Sequence, residues 1–443
     1  MTVIFSSSPS TTNAPATMDS LPSPCGLGAC TPAKPCPPNQ CKAPFPKAFW
    51  LACVASTLGF SASLILTTLL PLLWHEQGMN EGAIAQTLGA FLISSMLLRP
   101  LAGKLTNAFG AERLMGVGLA AFALATCGFV LPLPSLDQHP VLTQLLYTVV
   151  RLAQGVGFSL FYVASRSYAS LLVPEGRRAE GIGIHSNAEK IAMGVAPLIG
   201  WQCALHHHAD WGVWAAIVFS VLTLLVLIPV LFKPQPPRPA FQWGGSWWER
   251  KANLPGVIMA TNSLIYGCLI PFAGLIALQR HYDMGLMQWF YALYGATLIL
   301  TRGLAGAWVD TYGRRRVLIP GMLLVTLGLG CILQAPSALW FLVGTAVYGL
   351  GAGVIQPAMI AWMTERTPAE TRGSAMATFS IFLDVGQLIG QVLMGYFGSL
   401  GNFSLGIAVA MGLHGLGTLL FVYTHWSQEK HPTRAESFSE SVN

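Results

Sequence analysis

Apolar runs, each about 20 residues long and parted by short polar or basic stretches, recur along the chain from residue 48 to residue 426. A hydrocarbon core about 30 Å thick is crossed by a helix of that length, because each residue adds about 1.5 Å of rise. The pattern predicts twelve membrane-spanning helices near 48–73, 83–102, 114–134, 141–165, 180–203, 212–232, 254–279, 286–305, 317–335, 338–363, 374–399 and 404–426. Twelve crossings return the chain to the side on which it began.

Three stretches depart from this rhythm. Residues 1–46 hold ten prolines, many Ser and Thr, and four of the nine cysteines, a composition that predicts a disordered tail. They lack the basic start and short apolar core of a cleavable signal, so the first span is expected to be retained, and Met18 is an alternative start. The stretch "FKPQPPRPAFQWGGSWWERKANLP", 232–255, carries five prolines and four basic residues and separates six helices from six. The expected organisation is a tail over 1–46, a first six-helix bundle over 47–232, a linker over 233–253, a second bundle over 254–426 and a tail over 427–443.

Composition agrees with the pattern. Hydrophobic residues make up 53% of the chain and charged residues 9%, against about 25% charged in an ordinary soluble domain. The topology assigns most Lys and Arg residues to tails, loops and span ends on the inner side, leaving Arg280 outside and Arg151 and Lys190 deep within spans. That bias orients both termini to the cytoplasm of a bacterial inner membrane, and it explains the net charge of +6 without nucleic acid. No phosphate-binding Gly-rich Lys loop is present, so neither ATP hydrolysis nor another enzyme activity is expected of this chain, and no cofactor.

The two halves echo each other. "GKLTNAFGAER" at 103–113 follows the second span and "GAWVDTYGRRR" at 306–316 follows the eighth. Each loop sets two glycines seven residues apart ahead of a basic end: Gly103, Gly110 and Arg113, then Gly306, Gly313 and Arg314, with Asp310 in the second. In these residues the chain resembles the major facilitator superfamily, whose signature loop recurs between helices 2 and 3 and helices 8 and 9. Asn107 stands where the family has Asp, and Ala108 where it often has Arg. The resemblance implies an all-α fold of two six-helix bundles and a cytoplasmic latch that is weakened in its first copy. "RLAQGVGFS" from Arg151 is similar to the family's helix 4 element. "MGVAPLIG", with Gly194, Pro197 and Gly200, resembles the helix 5 element of its proton-antiporting exporters.

Ionisable residues inside spans are costly and therefore functional candidates. Aligning Gly200 with Gly395 sets an offset of 195, which carries Glu189 onto Asp384. Two carboxylates at matching positions of the halves suit proton coupling at a shared midplane cavity. Ser380, Asp384, Gln387 and Gln391 share one helical face. His185 lies four residues before Glu189 and is a candidate proton relay, whereas Lys190 lies about 100° round from Glu189. Tyr147, Arg151 and Gln154 form a stripe with Gln144, and Arg151 is a candidate counter-ion for Glu189 or for an anionic group of substrate. The positions of helix 10 that match Arg151 are apolar, so the basic element is expected in the first half alone. Asn262, Tyr266, Tyr291, Tyr294 and Gln356 supply softer candidate substrate contacts from the second half.

Cys25, Cys30, Cys36 and Cys41 are candidate metal ligands, although their spacing is wider than that of a zinc knuckle. The expected function is export of a small organic molecule, such as a drug, metabolite, siderophore or other metallophore, in exchange for protons. Its partners are the bilayer, the solute and protons, the proton gradient supplies the energy, and a monomer is expected. A proton-symporting importer and a non-transporting receptor or scaffold remain as alternatives.

Overall fold

The computed structural model describes residues 44–131, 138–174, 177–206, 210–231, 248–368 and 371–430. Within them the chain forms twelve α-helices: α1 Lys47–Glu76, α2 Glu81–Phe109, α3 Ala111–Cys127, α4 Pro140–Leu172, α5 Arg178–His206, α6 Asp210–Leu231, α7 Asn253–Gln279, α8 Leu286–Tyr312, α9 Arg314–Leu333, α10 Ala338–Arg366, α11 Arg372–Ser399 and α12 Phe403–Lys430. No strand occurs among the described residues. The Cys25, Cys30, Cys36 and Cys41 quartet lies outside the described residues, as does most of the expected linker.

Nine of the helices are long and apolar enough on those grounds alone to cross a bilayer. The other three are α3, described over 17 residues, and α5 and α8, whose apolar windows are interrupted by polar and charged residues. Several helices outrun the apolar runs that predicted them. Helix α4 continues through Arg166 to Leu172, α8 through Arg302 to Tyr312, and α12 to Lys430 inside the expected tail. Arg280, the basic residue expected outside, caps α9 by donating from Nη1 to the Ile332 carbonyl at 2.6 Å and from Nη2 to that of Leu333 at 3.2 Å. Favourable charge at a helix C-terminus accounts for its place there.

Helix contacts repeat between the halves. Helix α1 packs on α5 and α6 as α7 packs on α11 and α12, α4 on α2 and α3 as α10 on α8 and α9, and α3 on α6 as α9 on α12. The halves meet through α2 with α11, α5 with α8, and α1 with α7. The signature loops form tight reversals at matching places. Gly110 (φ 100°) joins α2 directly to α3 and Gly313 (φ 80°) joins α8 to α9, a backbone region that side-chain-bearing residues rarely enter. Beside the second reversal Arg314 pairs with Glu365 near the end of α10. The side-chain surroundings of Gly306 and Asp310 lie outside what is described.

Contacts between the halves cluster at the end away from the termini. Gly395 of α11 abuts Glu81, Gly82 and Ala85 of α2, Trp201 of α5 lies against Gly274 of α7, and Gln202 of α5 donates to Gln288 of α8. Gly194 and Gly295 bring α5 and α8 into backbone contact, since a Cβ built on Gly295 would lie 2.3 Å from the Gly194 Cα. Gly200, part of the same helix 5 element, faces Ile65 of α1.

Candidate functional site

Between the halves lies a cavity of about 190 Å³. Its described lining comes from α1, α2, α4 and α5 of the first half and their counterparts α7, α8, α10 and α11 of the second. Its walls are aromatic. On the first-half side Phe158 sits between Phe60 and Phe91 at ring distances of 5.3 and 5.4 Å, and on the second-half side Tyr294 stacks on Tyr348 at 5.3 Å.

Both predicted carboxylates line it, each 2% exposed and each neutralised by an arginine. Arg166 of α4 holds Glu189 in a two-pronged grip, Nε donating to Oε1 at 2.9 Å and Nη2 to Oε2 at 2.7 Å. Arg99 of α2 reaches across the halves to Asp384 of α11, with Nη1 2.8 Å from Oδ2. The same nitrogen donates to the Ser380 carbonyl at 3.4 Å. Tyr162 lies between the two pairs, with the Arg166 and Arg99 guanidinium groups 4.5 and 4.9 Å from its ring centre. Such cation–π contacts help to offset the cost of holding guanidinium groups away from bulk water.

Several expectations need correction. Arg151 lines the cavity but is not the counter-ion of Glu189, a place taken by Arg166. Its Nη1 donates to Gln154 at 3.0 Å and its guanidinium lies 4.5 Å from the Phe91 ring centre. Gln154 turns away to donate to Thr126 of α3 at 2.9 Å. Tyr147 sits toward the end away from the termini, donating to Gln77 at 3.1 Å, and Tyr291 donates to the Ile270 carbonyl at 2.7 Å. Neither Tyr147, Tyr291 nor Gln154 is among the described lining residues. His185 also lies behind the wall. Its Nε2 is 2.8 Å from Ser56 Oγ and 3.2 Å from Ser165 Oγ, and its Nδ1 is 3.9 Å from Glu189 Oε1.

Asn262, Tyr266, Tyr294, Gln356 and Gln387 do line the cavity, with Gln391 beside them. Lys190 joins them, its Nζ donating only to the Met193 thioether at 3.3 Å among the described residues.

The largest omission from sequence concerns arginine. Arg99, Arg166 and Arg302 lie at or just beyond the inner ends of their predicted spans, where charge bias accounts for them by orientation, yet all three line the cavity. Arg302 also overturns the expectation that basic groups belong to the first half alone; its Nη1 donates to Gln356 at 2.9 Å. A signal was present: Arg99-Pro-Leu-Ala-Gly and Arg302-Gly-Leu-Ala-Gly repeat at the spacing of the signature loops, which makes the two arginines equivalents.

Among the described residues no group of three His, Cys, Asp or Glu side chains is placed to hold a metal ion.

The family model of the Major Facilitator Superfamily matches residues 50–246 and 256–441. A Salmonella typhimurium protein named an uncharacterized MFS-type transporter is 25% identical over 327 residues, covering 72% of this chain and 81% of its own. A Burkholderia pseudomallei protein named in the same way is 25% identical over 349 residues, covering 77% and 84%. Among solved structures, the nucleoside transporter NupG superposes with a TM-score of 0.67 at 12% identity, over 85% of this chain and 99% of its own. The human organic anion transporter MFSD10 gives 0.65 at 15% identity, over 86% and 100%. At such identities these two likenesses show the fold and leave the solute open. Two related sets of six helices around a charged central cavity, and a family match over nearly all of the chain beyond its first residues, lead to one conclusion: this multi-pass membrane protein is a transporter, not an enzyme, and it belongs to the Major Facilitator Superfamily.

Proposed function

We propose that the protein is a proton-coupled carrier that moves a small organic molecule by alternating access, with Glu189 and Asp384 as its proton-exchanging groups. One observation supports this above the rest: the two carboxylates occupy equivalent positions of α5 and α11, are buried in one cavity wall, and are each paired with an arginine. Protonating Asp384 removes the charge that holds Arg99 across α2 and α11, and so loosens a link between the halves. Glu189 is tied within its own half instead, and Arg302, the equivalent of Arg99, forms no ion pair among the described residues although Glu189 lies near enough to attract it. Exchange of Glu189 from Arg166 to Arg302 would give the second half its matching link in the opposite arrangement.

The bias of basic residues supports termini in the bacterial cytoplasm, and in that orientation the closed end faces outward and the cavity is loaded from inside. With the helix 5 element, this favours export in exchange for protons across the inner membrane. Import by proton symport is separated from it by the direction of solute movement in inverted vesicles.

The reading is tested in proteoliposomes carrying a trapped pH dye, with the movement of protons followed as a panel of organic solutes is added. Glu189→Gln and Asp384→Asn are each expected to reduce solute-linked proton movement tenfold or more, a loss of at least about 1.4 kcal/mol of coupling. If both variants couple as the parent does, neither carboxylate carries the proton. A scaffold that transports nothing would show no solute-linked proton movement in any form of the protein.

A further inference from the structure

The charges lining the cavity do not balance. Five cationic side chains, Arg99, Arg151, Arg166, Lys190 and Arg302, face two carboxylates, a surplus of three positive charges. Arg99 and Arg166 are matched by Asp384 and Glu189. The other three form no close ion pair among the described residues: Arg151 meets an amide and an aromatic face, Lys190 a thioether, and Arg302 an amide, with Glu189 near enough to attract Lys190 and Arg302 but held by Arg166. Arg151 is 1% exposed and its Nε has no acceptor, a costly state for a charged donor held out of bulk water.

Position sharpens this imbalance. Lys190 of α5 and Arg302 of α8 both line the cavity where the two halves meet, close enough to repel each other, and the one carboxylate near both, Glu189, is already gripped by Arg166. The Gly194 and Gly295 crossing lies one to two helical turns further out and holds those two helices together. Like charges set opposite each other at a moving seam oppose its closure unless something negative lies between them.

We propose that the cavity binds an organic anion whose carboxylate or phosphate group bridges Lys190 and Arg302, with its apolar body between the aromatic walls and Arg151 facing its far end. This rests on the reading of the cavity as the transport site. The anion turns repulsion across the seam into two attractive contacts, one to each half, so loading favours closure around the solute. Arg302 presents a planar fork that fits either kind of oxyanion, and Lys190 adds a compact charge. The rings of Phe60, Phe158 and Tyr294 offer faces for a planar body.

The test uses four probes that share one ring and differ in charge: benzoate, phenyl phosphate, neutral benzamide and cationic benzylamine. Their effect on thermal unfolding of the full chain is measured in lipid nanodiscs. Benzoate or phenyl phosphate is expected to raise the melting temperature, while benzamide and benzylamine leave it unmoved. Arg302→Gln and Lys190→Gln are each expected to weaken anion binding about tenfold or more, as loss of a charged hydrogen bond implies. The charge-conserving Arg302→Lys and Lys190→Arg keep most of the stabilisation, which separates loss of charge from loss of fold. The proposal is overturned if neither anion stabilises the protein, if benzamide or benzylamine does so equally, or if anion stabilisation survives both Gln substitutions. Binding is read with no pH gradient. Intact proton coupling without anion binding sinks this inference alone, and anion binding with coupling that ignores both carboxylates sinks the proton reading alone.

Discussion

Asp384→Ala is expected to destabilise the protein by about 3–5 kcal/mol, the usual cost of stripping one partner from a buried ion pair, while Arg99→Ala costs much less. The asymmetry follows from the chemistry of what is left behind. A guanidinium stays charged under all ordinary conditions, so Arg99, with only 13% of its side chain exposed, would keep its full charge without its carboxylate. A carboxyl group left without its arginine can instead be buried as the neutral acid after taking one proton. Arg99 would retain its contact with the Tyr162 ring and its bond to the Ser380 carbonyl, which recover part of the loss. Removing both charges in Asp384→Ala/Arg99→Met should restore most of the stability, because no unpaired ion remains. The check is a thermal or denaturant melt of the purified single and double variants. Equal losses from the two single substitutions, or no recovery in the double one, would contradict a buried pair at this position.

Gly295→Leu is expected to slow transport by about 5- to 150-fold while leaving each half folded. A Cβ at this position would meet the Gly194 Cα at 2.3 Å and its backbone nitrogen at 2.8 Å. Both are backbone atoms, which cannot turn aside as a side-chain tip can. Reaching an ordinary carbon contact requires α5 and α8 to part by roughly 1.5 Å, and the rest of the leucine adds to the crowding. Overpacking of this kind costs about 1–3 kcal/mol, charged wholly to the arrangement in which these two helices touch. That corresponds to a shift of about 5- to 150-fold between the two arrangements of an alternating carrier. It is measured by cross-linking Gln202→Cys to Gln288→Cys with a short bifunctional maleimide, since these two side chains meet at the closed end. Cross-linking should fall sharply with Gly295→Leu and persist with Gly412→Ala, where nothing lies within 4 Å of an added Cβ. Unchanged cross-linking in Gly295→Leu would mean that the glycine crossing does not hold this end shut.

The fold was legible in the sequence because its driving force is written continuously: a run of apolar residues long enough to cross a bilayer is hard to mistake. The relation between halves was legible for a second reason, since tight reversals at Gly110 and Gly313 need the same residues in both copies. The duplication then placed Glu189 and Asp384 on one cavity before any geometry was known. What stayed hidden was the destination of charges near the inner ends of helices. Charge bias explains a basic residue by orientation, and it absorbed Arg99, Arg166 and Arg302 into that account although they point inward. Helical spacing failed in the opposite direction for Tyr147, Gln154 and Tyr291. It reports angle around the axis but neither depth along it nor the neighbour waiting there, and these side chains found Gln77, Thr126 and the Ile270 carbonyl.

The unequal charge count in the cavity has a consequence for the resting cell. A passage through a membrane must not become a leak for the small cations that set the membrane potential. Fixed positive charge within a low-dielectric wall raises the electrostatic energy of sodium or potassium entering it, much as a cationic constriction excludes them from a pore. With a surplus of three positive charges among its described lining residues, the central cavity carries such a barrier when empty. The groups that attract the cargo would then also keep the unloaded carrier electrically tight.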